Sequence, residues 1–322
     1  MELGKKTIEL LTPSLNMNDG DIILKSSIIM DVFEKIEIAA KYDYNILLEG
    51  ESGVGKDIFA NYIYKHGKRA SGKFIAVNCG AIPENLFEAE FFGYERGSFT
   101  NAINSHKGFF EQANGGVLLL DEISELPLYM QVKLLRAIED KFIRRIGSEN
   151  IIKTDTQIIA ATNKNLSKCV NENKFRQDLY YRLAIINITI PPLRERIDDI
   201  LPLANYFLVK HGCQNKSFSP EAEATLLEYK WPGNIRELET CMINVIIRSN
   251  GKTFIERHEL QINSLNTKQN LKGLLEREGL ERTLKSTNGS VKLTSTALGV
   301  HRNTIYNKLK KHNLTLSIYR IN

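Results

Sequence analysis

The chain has 322 residues, 42% hydrophobic and 25% charged, with a net charge of +5. These ordinary globular values exclude a disordered or collagen-like chain, and the length predicts two or three domains. No apolar run approaches the roughly 18 residues of a membrane helix, and MELGKKTIELL lacks the apolar core of a signal peptide. Cys79, Cys169, Cys213 and Cys241 show no C-x-x-C spacing, which argues against zinc and for reduced thiols in a cytoplasmic protein.

Residues 1–21 are short and polar, too few for a sensor domain. From Ile22 to Ile190, strand-like runs alternate with helical patterns. Asn45–Leu48, Phe74–Val77, Val117–Leu120, Gln157–Ala160 and Ile185–Ile190 predict an α/β subdomain, a parallel sheet with helices on both faces. Pro191-Pro192 ends that pattern. An all-helical subdomain is expected over 191–262. Ile200–His211 is its first helix, Ser219-Pro220 starts another, Trp231-Pro232-Gly233-Asn234 forms a turn, and Ile235–Arg248 is a third helix. Residues 263–272 read as a polar linker, and 273–322 as a small helical domain.

Gly50-Glu51-Ser52-Gly53-Val54-Gly55-Lys56 fits G-x-x-x-x-G-K between a strand and a helix. Such a loop turns its backbone N–H groups around phosphate oxygens, and its lysine reaches the β- and γ-phosphates. Asp57 stands where most such loops place Ser or Thr on Mg²⁺. Downstream, GGVLLLDE is an apolar strand ending in two carboxylates. Asp121 is assigned to Mg²⁺ through its water shell and Glu122 to orienting the attacking water, so Mg²⁺ and a phosphate-bearing ligand are expected. Asn78 and Asn163 follow two other strands. Asn78 can gate Glu122 and Asn163 can sense the γ-phosphate, or each simply forms a turn. In FRQDLYYRL, Arg176 and Arg182 either stabilise transferring phosphate from a neighbouring subunit or form surface ion pairs, for instance with Asp178.

The fragments GESGVGKD, FFGYERGSFTNA, FEQANGGVLLLDEIS, IIAATNKNL, FRQDLYYRL, PPLRER and WPGNIRELE run in one order from Ile22 to Arg248. Together they resemble the AAA+ core of bacterial sigma-54-dependent activators. An acidic residue after the loop lysine is usual in that family, so Asp57 fits. The resemblance implies ATP hydrolysis in a homo-oligomeric ring, a hexamer when active. Arg176 and Arg182 would act in trans, Asn78 would switch Glu122, Asn163 would be sensor I, and Arg236 would be sensor II at the nucleotide. It also implies that Gly97, Ser98, Phe99, Thr100, Asn101 and Ala102 touch sigma-54 of the RNA polymerase. The family usually reads GAFTGA there, and this chain has Ser98 and Asn101 in place of Ala and Gly.

After Glu281 the chain has no acidic residue but carries Arg282, Lys285, Lys292, Arg302, Lys308, Lys310, Lys311 and Arg320, which predicts a polyanion partner. SVKLTSTALGVHRNTIYNKLKKH has helix-turn-helix spacing, with Leu293, Leu298, Val300, Ile305 and Leu309 as the expected core. Arg302, Asn303, Thr304, Asn307 and Lys308 lie on the polar side of the second helix, where such motifs meet double-stranded DNA. This end resembles the Fis-type domain of the same family. The expected function is an ATP-driven activator bound at upstream DNA in the bacterial nucleoid. The alternative is a DNA-binding regulator whose oligomeric state responds to nucleotide and which no longer engages sigma-54. No sensor-type domain is read ahead of the core, so a trans-acting regulator is one expected source of control.

Overall fold

The computed structural model describes residues 23–100, 102–249, 253–262, 279–287, 289–311 and 314. They fall into two compact units, the first ending at Glu259 and the second beginning at Leu260.

The first unit opens with α1 (Ser27–Ala40), capped by the Ser26 hydroxyl on the Ile29 N–H. Then come β1 (Ile46–Glu49), α2 (Lys56–His66), β2 (Phe74–Asn78) and α3 (Phe87–Phe92). A two-residue pair, β3 (Gly93–Tyr94) and β4 (His106–Lys107), precedes α4 (Phe109–Gln112) and β5 (Val117–Asp121). α5 (Leu128–Asp140) leads into a second short pair, β6 (Phe142–Ile143) and β7 (Ile152–Lys153). β8 (Gln157–Thr162), α6 (Leu166–Asn171), α7 (Gln177–Leu183) and β9 (Ile186–Thr189) complete the α/β part.

β2, β5, β8, β1 and β9 form one parallel sheet in that order, as the alternating pattern predicts. Strands β5 and β8 are buried along nearly their whole length because both faces are covered. Leu47, Leu118, Leu120, Ile158 and Ala160 face α3 to α7, with Phe91, Phe110 and Leu134. Ile46, Leu48, Val117, Leu119, Ile159 and Ala161 face α1 and α2. The register aligns Asn78 with Asp121 and Glu49 with Thr162, so the polar ends of four strands share one edge.

After Pro191-Pro192 the unit is mainly helical: α8 (Ile200–Lys210), α9 (Pro220–Glu228), α10 (Asn234–Arg248) and α11 (Arg257–Leu260), with β10 (Ser217–Phe218) and β11 (Phe254–Ile255) as a small parallel pair. Ser219 caps α9 with Pro220 just inside, as read from the sequence. Trp231 is buried and its indole N–H donates to the Leu226 carbonyl at 2.9 Å.

The second unit contains α12 (279–286), α13 (Val291–Ala297) and α14 (Arg302–Lys311). Its core is Leu280, Leu284, Ile305 and Leu309, with Val291 and Val300 packed against it. Two expected core residues are not in it: Leu293 and Leu298 are exposed. The inward stripe of α13 runs Val291, Thr294, Ser295 at helical spacing. Leu293 lies off that stripe, and Leu298 comes after the helix has ended. Thr294 and Ser295 are buried, and they are satisfied: Thr294 Oγ1 donates to the Ser290 carbonyl at 2.9 Å and Ser295 Oγ to the Lys292 carbonyl at 2.8 Å. The expected linker, 263–272, lies outside the described residues.

Candidate nucleotide site and its attached loops

The loop after β1 has the backbone of an anion cradle. Gly53 and Gly55 sit at φ 78° and 97°, the left-handed region that disfavours a side chain. A Cβ on Gly53 would lie 2.4 Å from the Gly233 carbonyl oxygen, so no larger residue fits. Val54 is fully buried and anchors the loop to the core. Asp57, exposed in the first turn of α2, complements the helix dipole. The Lys56 ammonium donates to the Gly50 carbonyl at 2.7 Å and the Glu51 carbonyl at 3.0 Å. Burial holds Lys56 below the usual lysine range, while Asp121 and Asp57 push it back toward the charged form.

The helices after Pro191 close on this loop. The Ile235 N–H donates to the Gly53 carbonyl at 2.9 Å. Arg236, expected at the nucleotide, donates from Nη1 to Ser52 Oγ at 3.2 Å. Arg194 forks onto Glu51 at 2.7 and 2.8 Å, and this hydrogen bonding, with one from Asn234, holds the Glu51 carboxyl below its usual range. Arg196, buried, donates to the Val54 carbonyl at 2.9 Å.

At the neighbouring strand end, Glu122 stands in the left-handed region at φ 52°, and its N–H donates to Asp121 Oδ1 at 2.9 Å. A Cβ on Gly80 would fall 2.2 Å from Glu122 Oε2 and 3.3 Å from Asn78 Oδ1. Glu122, Gly80 and Asn78 therefore crowd one point, and a side chain at Gly80 would displace the Glu122 carboxylate from this position. Asn163 is exposed just after β8, where the buried Thr162 hydroxyl donates to Ser124 Oγ at 3.1 Å. Among the described residues, no group of three His, Cys, Asp or Glu side chains can cage a metal. The donor set suits a cation held mainly by phosphate and water beside one carboxylate, the mode typical of Mg²⁺.

Arg176 and Arg182 lie apart from that cluster. Arg176 forks onto Asp178 at 2.5 and 3.0 Å, and Arg182 donates to Glu139 at 2.7 Å. Arg176 also edges a cleft of about 530 Å³ lined by Leu128, Val170, Phe175 and Tyr181. The ion pair with Asp178 read from the sequence is thus present in the single chain.

The Gly97–Ala102 segment bridges β3 and β4. The Gly97 N–H donates to the Ala102 carbonyl at 2.8 Å and the Ala102 N–H to the Phe99 carbonyl at 2.9 Å. Ala102 is buried, while Phe99 is 42% exposed, its ring edge-on to Tyr94 at 4.9 Å. Thr100 is exposed, and Asn101 lies outside the described residues. Ser98 Oγ is buried without a hydrogen-bond partner.

The segment between β6 and β7 supports this loop, a contact that no sequence motif signals. Arg145 binds Glu111 through Nε at 2.9 Å and Nη2 at 2.7 Å, and Glu95 through Nη1 at 3.1 Å. Gly147 packs so close that a Cβ on it would lie 2.7 Å from the Ser98 Cβ. Strands of two residues carry no alternating pattern, so β6 and β7 leave no periodic signal. From the sequence, Asn234 likewise signals only a turn. It is buried: its Oδ1 accepts from the Leu193 N–H at 2.8 Å, and its Nδ2 donates to the Ser52 carbonyl at 3.0 Å and Glu51 Oε2 at 3.1 Å.

In the second unit, Arg302, Asn303 and Asn307 are exposed on α14, whereas Thr304 and Lys308 are half-buried. No helix among the described residues is long and apolar enough to cross a membrane.

Comparison with known proteins bears on family and fold. Residues 22–189 match the sigma-54 interaction domain, 194–274 the AAA+ ATPase lid domain, and 273–312 the Fis family of bacterial regulatory proteins. The chain is 41% identical over 308 residues to a signal-transduction and transcriptional-control protein of Clostridium beijerinckii, covering 91% of this chain and 49% of that protein. It is 38% identical over 315 residues to the regulatory protein AtoC of Escherichia coli (strain K12), covering 92% of this chain and 68% of that one. The structure of NtrX from Brucella abortus in complex with ATP superposes with a TM-score of 0.70 at 29% identity, covering 91% of this chain and 69% of that chain. The chain spans about half the length of the first of these relatives and about two thirds of the other two. The fold is an AAA+ P-loop domain with a helical lid and a C-terminal helix-turn-helix, and the chain belongs to the family of sigma-54-dependent bacterial transcription regulators.

Proposed function

We propose that this protein hydrolyses ATP at the interfaces of a homo-oligomeric ring, a hexamer when active, and uses the energy to remodel sigma-54 RNA polymerase at promoters. The α/β part (22–190) binds nucleotide, the helices of 191–262 close over it, and the unit at 273–322 holds double-stranded DNA upstream. The observation that carries the reading is the shared edge of Lys56, Asp121, Glu122 and Asn78, joined to a loop that leaves Phe99 exposed.

On ATP binding, the phosphates replace the Gly50 and Glu51 carbonyls as partners of Lys56. The N–H groups of Gly53 to Lys56 receive phosphate oxygens, and Asp57 at the helix start orients that turn. Asp121 would hold Mg²⁺ through its water shell, and the cation would supply neutralisation of phosphate charge there. Glu122 orients the attacking water, and Asn78 beside it sets how far the carboxylate reaches. Asn163 and Arg236 read the γ-phosphate and the lid position. Arg176 and Arg182 leave Asp178 and Glu139 to meet the nucleotide of the adjacent subunit, a contribution on the order of 10³–10⁵ in rate for a trans arginine. The loop from Gly97 to Ala102 moves against sigma-54 because bound ATP favours one loop position over another. Arg302, Asn303, Thr304, Asn307 and Lys308 contact DNA, the first residues of α14 reading bases.

In-vitro transcription with sigma-54 holoenzyme, a supercoiled template and ATP tests the reading. Open complexes are expected with the wild-type chain and absent with Phe99→Ala. Strong ATPase activity without open complexes from the wild-type chain refutes the motor reading and leaves a nucleotide-controlled DNA-binding regulator.

A further inference from the structure

Gln131 occupies a core position of α5. Its helical neighbours on the buried face are Met130, Leu134 and Ala137, and it is itself fully buried. An amide at such a position is costly unless every group is satisfied. Here each is: Nε2 donates to the Leu126 carbonyl at 2.8 Å and the Lys174 carbonyl at 3.2 Å, and Oε1 accepts from the Arg176 N–H at 2.8 Å. Two carbonyls and one N–H also fix which end of the amide is which.

The three partners come from two functional segments. Leu126 ends the turn that leaves Glu122. Within that turn the Glu125 N–H donates to the Glu122 carbonyl at 2.9 Å and the Leu126 N–H to the Ile123 carbonyl at 3.2 Å. Ser124 of the same turn receives the Thr162 hydroxyl. Lys174 and Arg176 flank the buried Phe175 and lead into α7, which carries Arg182 in its last turn. One side chain therefore joins the exit of a subunit's own hydrolytic strand to the backbone that presents its exposed arginine.

We infer that Gln131 is a positioning residue that sets the placement of Arg176, offered to the neighbouring subunit, from the segment following Glu122. The inference rests on the reading of Arg176 as a trans-acting residue. An apolar side chain of equal volume would pack as well here, but would leave the Arg176 N–H and two carbonyls unpaired. The start of α7 would then shift, and a misplacement of about 1 Å can cost roughly 100-fold in rate.

The test is a subunit-mixing ATPase assay. Gln131→Met is expected to bind a fluorescent ATP analogue within about twofold of wild type while turnover falls roughly 10- to 100-fold. Glu122→Gln protomers have a dead site but an intact Arg176. Adding them in excess is expected to raise turnover per Gln131→Met protomer toward wild type, as it does for Arg176→Ala. Gln131→Glu keeps the acceptor for the Arg176 N–H and is expected to retain more activity than Gln131→Met. It carries the same comparison where Gln131→Met loses nucleotide binding. Wild-type turnover by Gln131→Met overturns the inference. So does a loss that added Glu122→Gln protomers relieve in Arg176→Ala but not in the Gln131 variants. If Arg176→Ala is itself not relieved, the trans reading of Arg176 is what has failed, and the inference falls with it.

Discussion

Asn234→Ala probes how the lid is held on the phosphate loop. Asn234 is fully buried at the start of α10, with φ 54°, and its amide reaches Leu193, Ser52 and Glu51. Two of these bonds are neutral and worth about 1 kcal/mol each, and the third, to a carboxylate, about 1.5–3 kcal/mol. Glu51 keeps Arg194 when Asn234 is cut, so the carboxylate share counts at its low end. A left-handed alanine adds about 1–2 kcal/mol over glycine. The expected loss for Asn234→Ala is about 5 kcal/mol, and Asn234→Gly should recover about 1–2 kcal/mol of it. Trp231, the one tryptophan of the chain, is buried three residues away and reports the transition. Urea unfolding followed by its fluorescence gives the comparison. A loss below about 1 kcal/mol, or a glycine variant no better than alanine, refutes the claim that this side chain is the tie.

Glu122→Gln is expected to keep ATP affinity while turnover falls at least roughly 100-fold, because it removes the group orienting water and leaves the cradle intact. Binding and steady-state hydrolysis measured on one preparation check this. Ser98→Ala removes a buried hydroxyl that has no partner, so it should stabilise the protein by about 1 kcal/mol and raise the melting temperature by about 2–4 °C. Because the Phe99 ring packs edge-on to Tyr94, sigma-54 capture with a transition-state-mimic nucleotide should survive that change. On the DNA side, Arg302→Ala should cost about 1–3 kcal/mol on a specific site, whereas Lys308→Ala should weaken all sequences alike and lower the salt slope by about one. Gel-shift titrations at several salt concentrations separate the two.

Much of this was legible from residue order because the elements concerned are long and strongly patterned. The Ile, Val and Leu runs of β5 and β8 are buried on both faces, and G-x-x-x-x-G-K states its own backbone geometry. The helix-turn-helix core was read less well. Leu293 looks like core by composition, yet α13 turns Thr294 inward, and the threonine hydroxyl donates to the Ser290 carbonyl one turn earlier. In a seven-residue helix the choice of inward stripe rests on one or two residues, so packing against α12 and α14 decides it.

By itself the sequence determined the order of strands and helices, the phosphate loop and the two carboxylates that follow its partner strand. These depend on local periodicity and on glycine placement, which act over a few residues. Only the tertiary structure decided that Asn78 lies beside Glu122, that Arg145 clamps the base of the Phe99 loop, and that Asn234 and Gln131 join segments far apart in the chain. Each is a polar group whose partner is chosen by folding, and burial makes the pairing obligatory: a buried amide or guanidinium left unpaired costs more than the bond it would make.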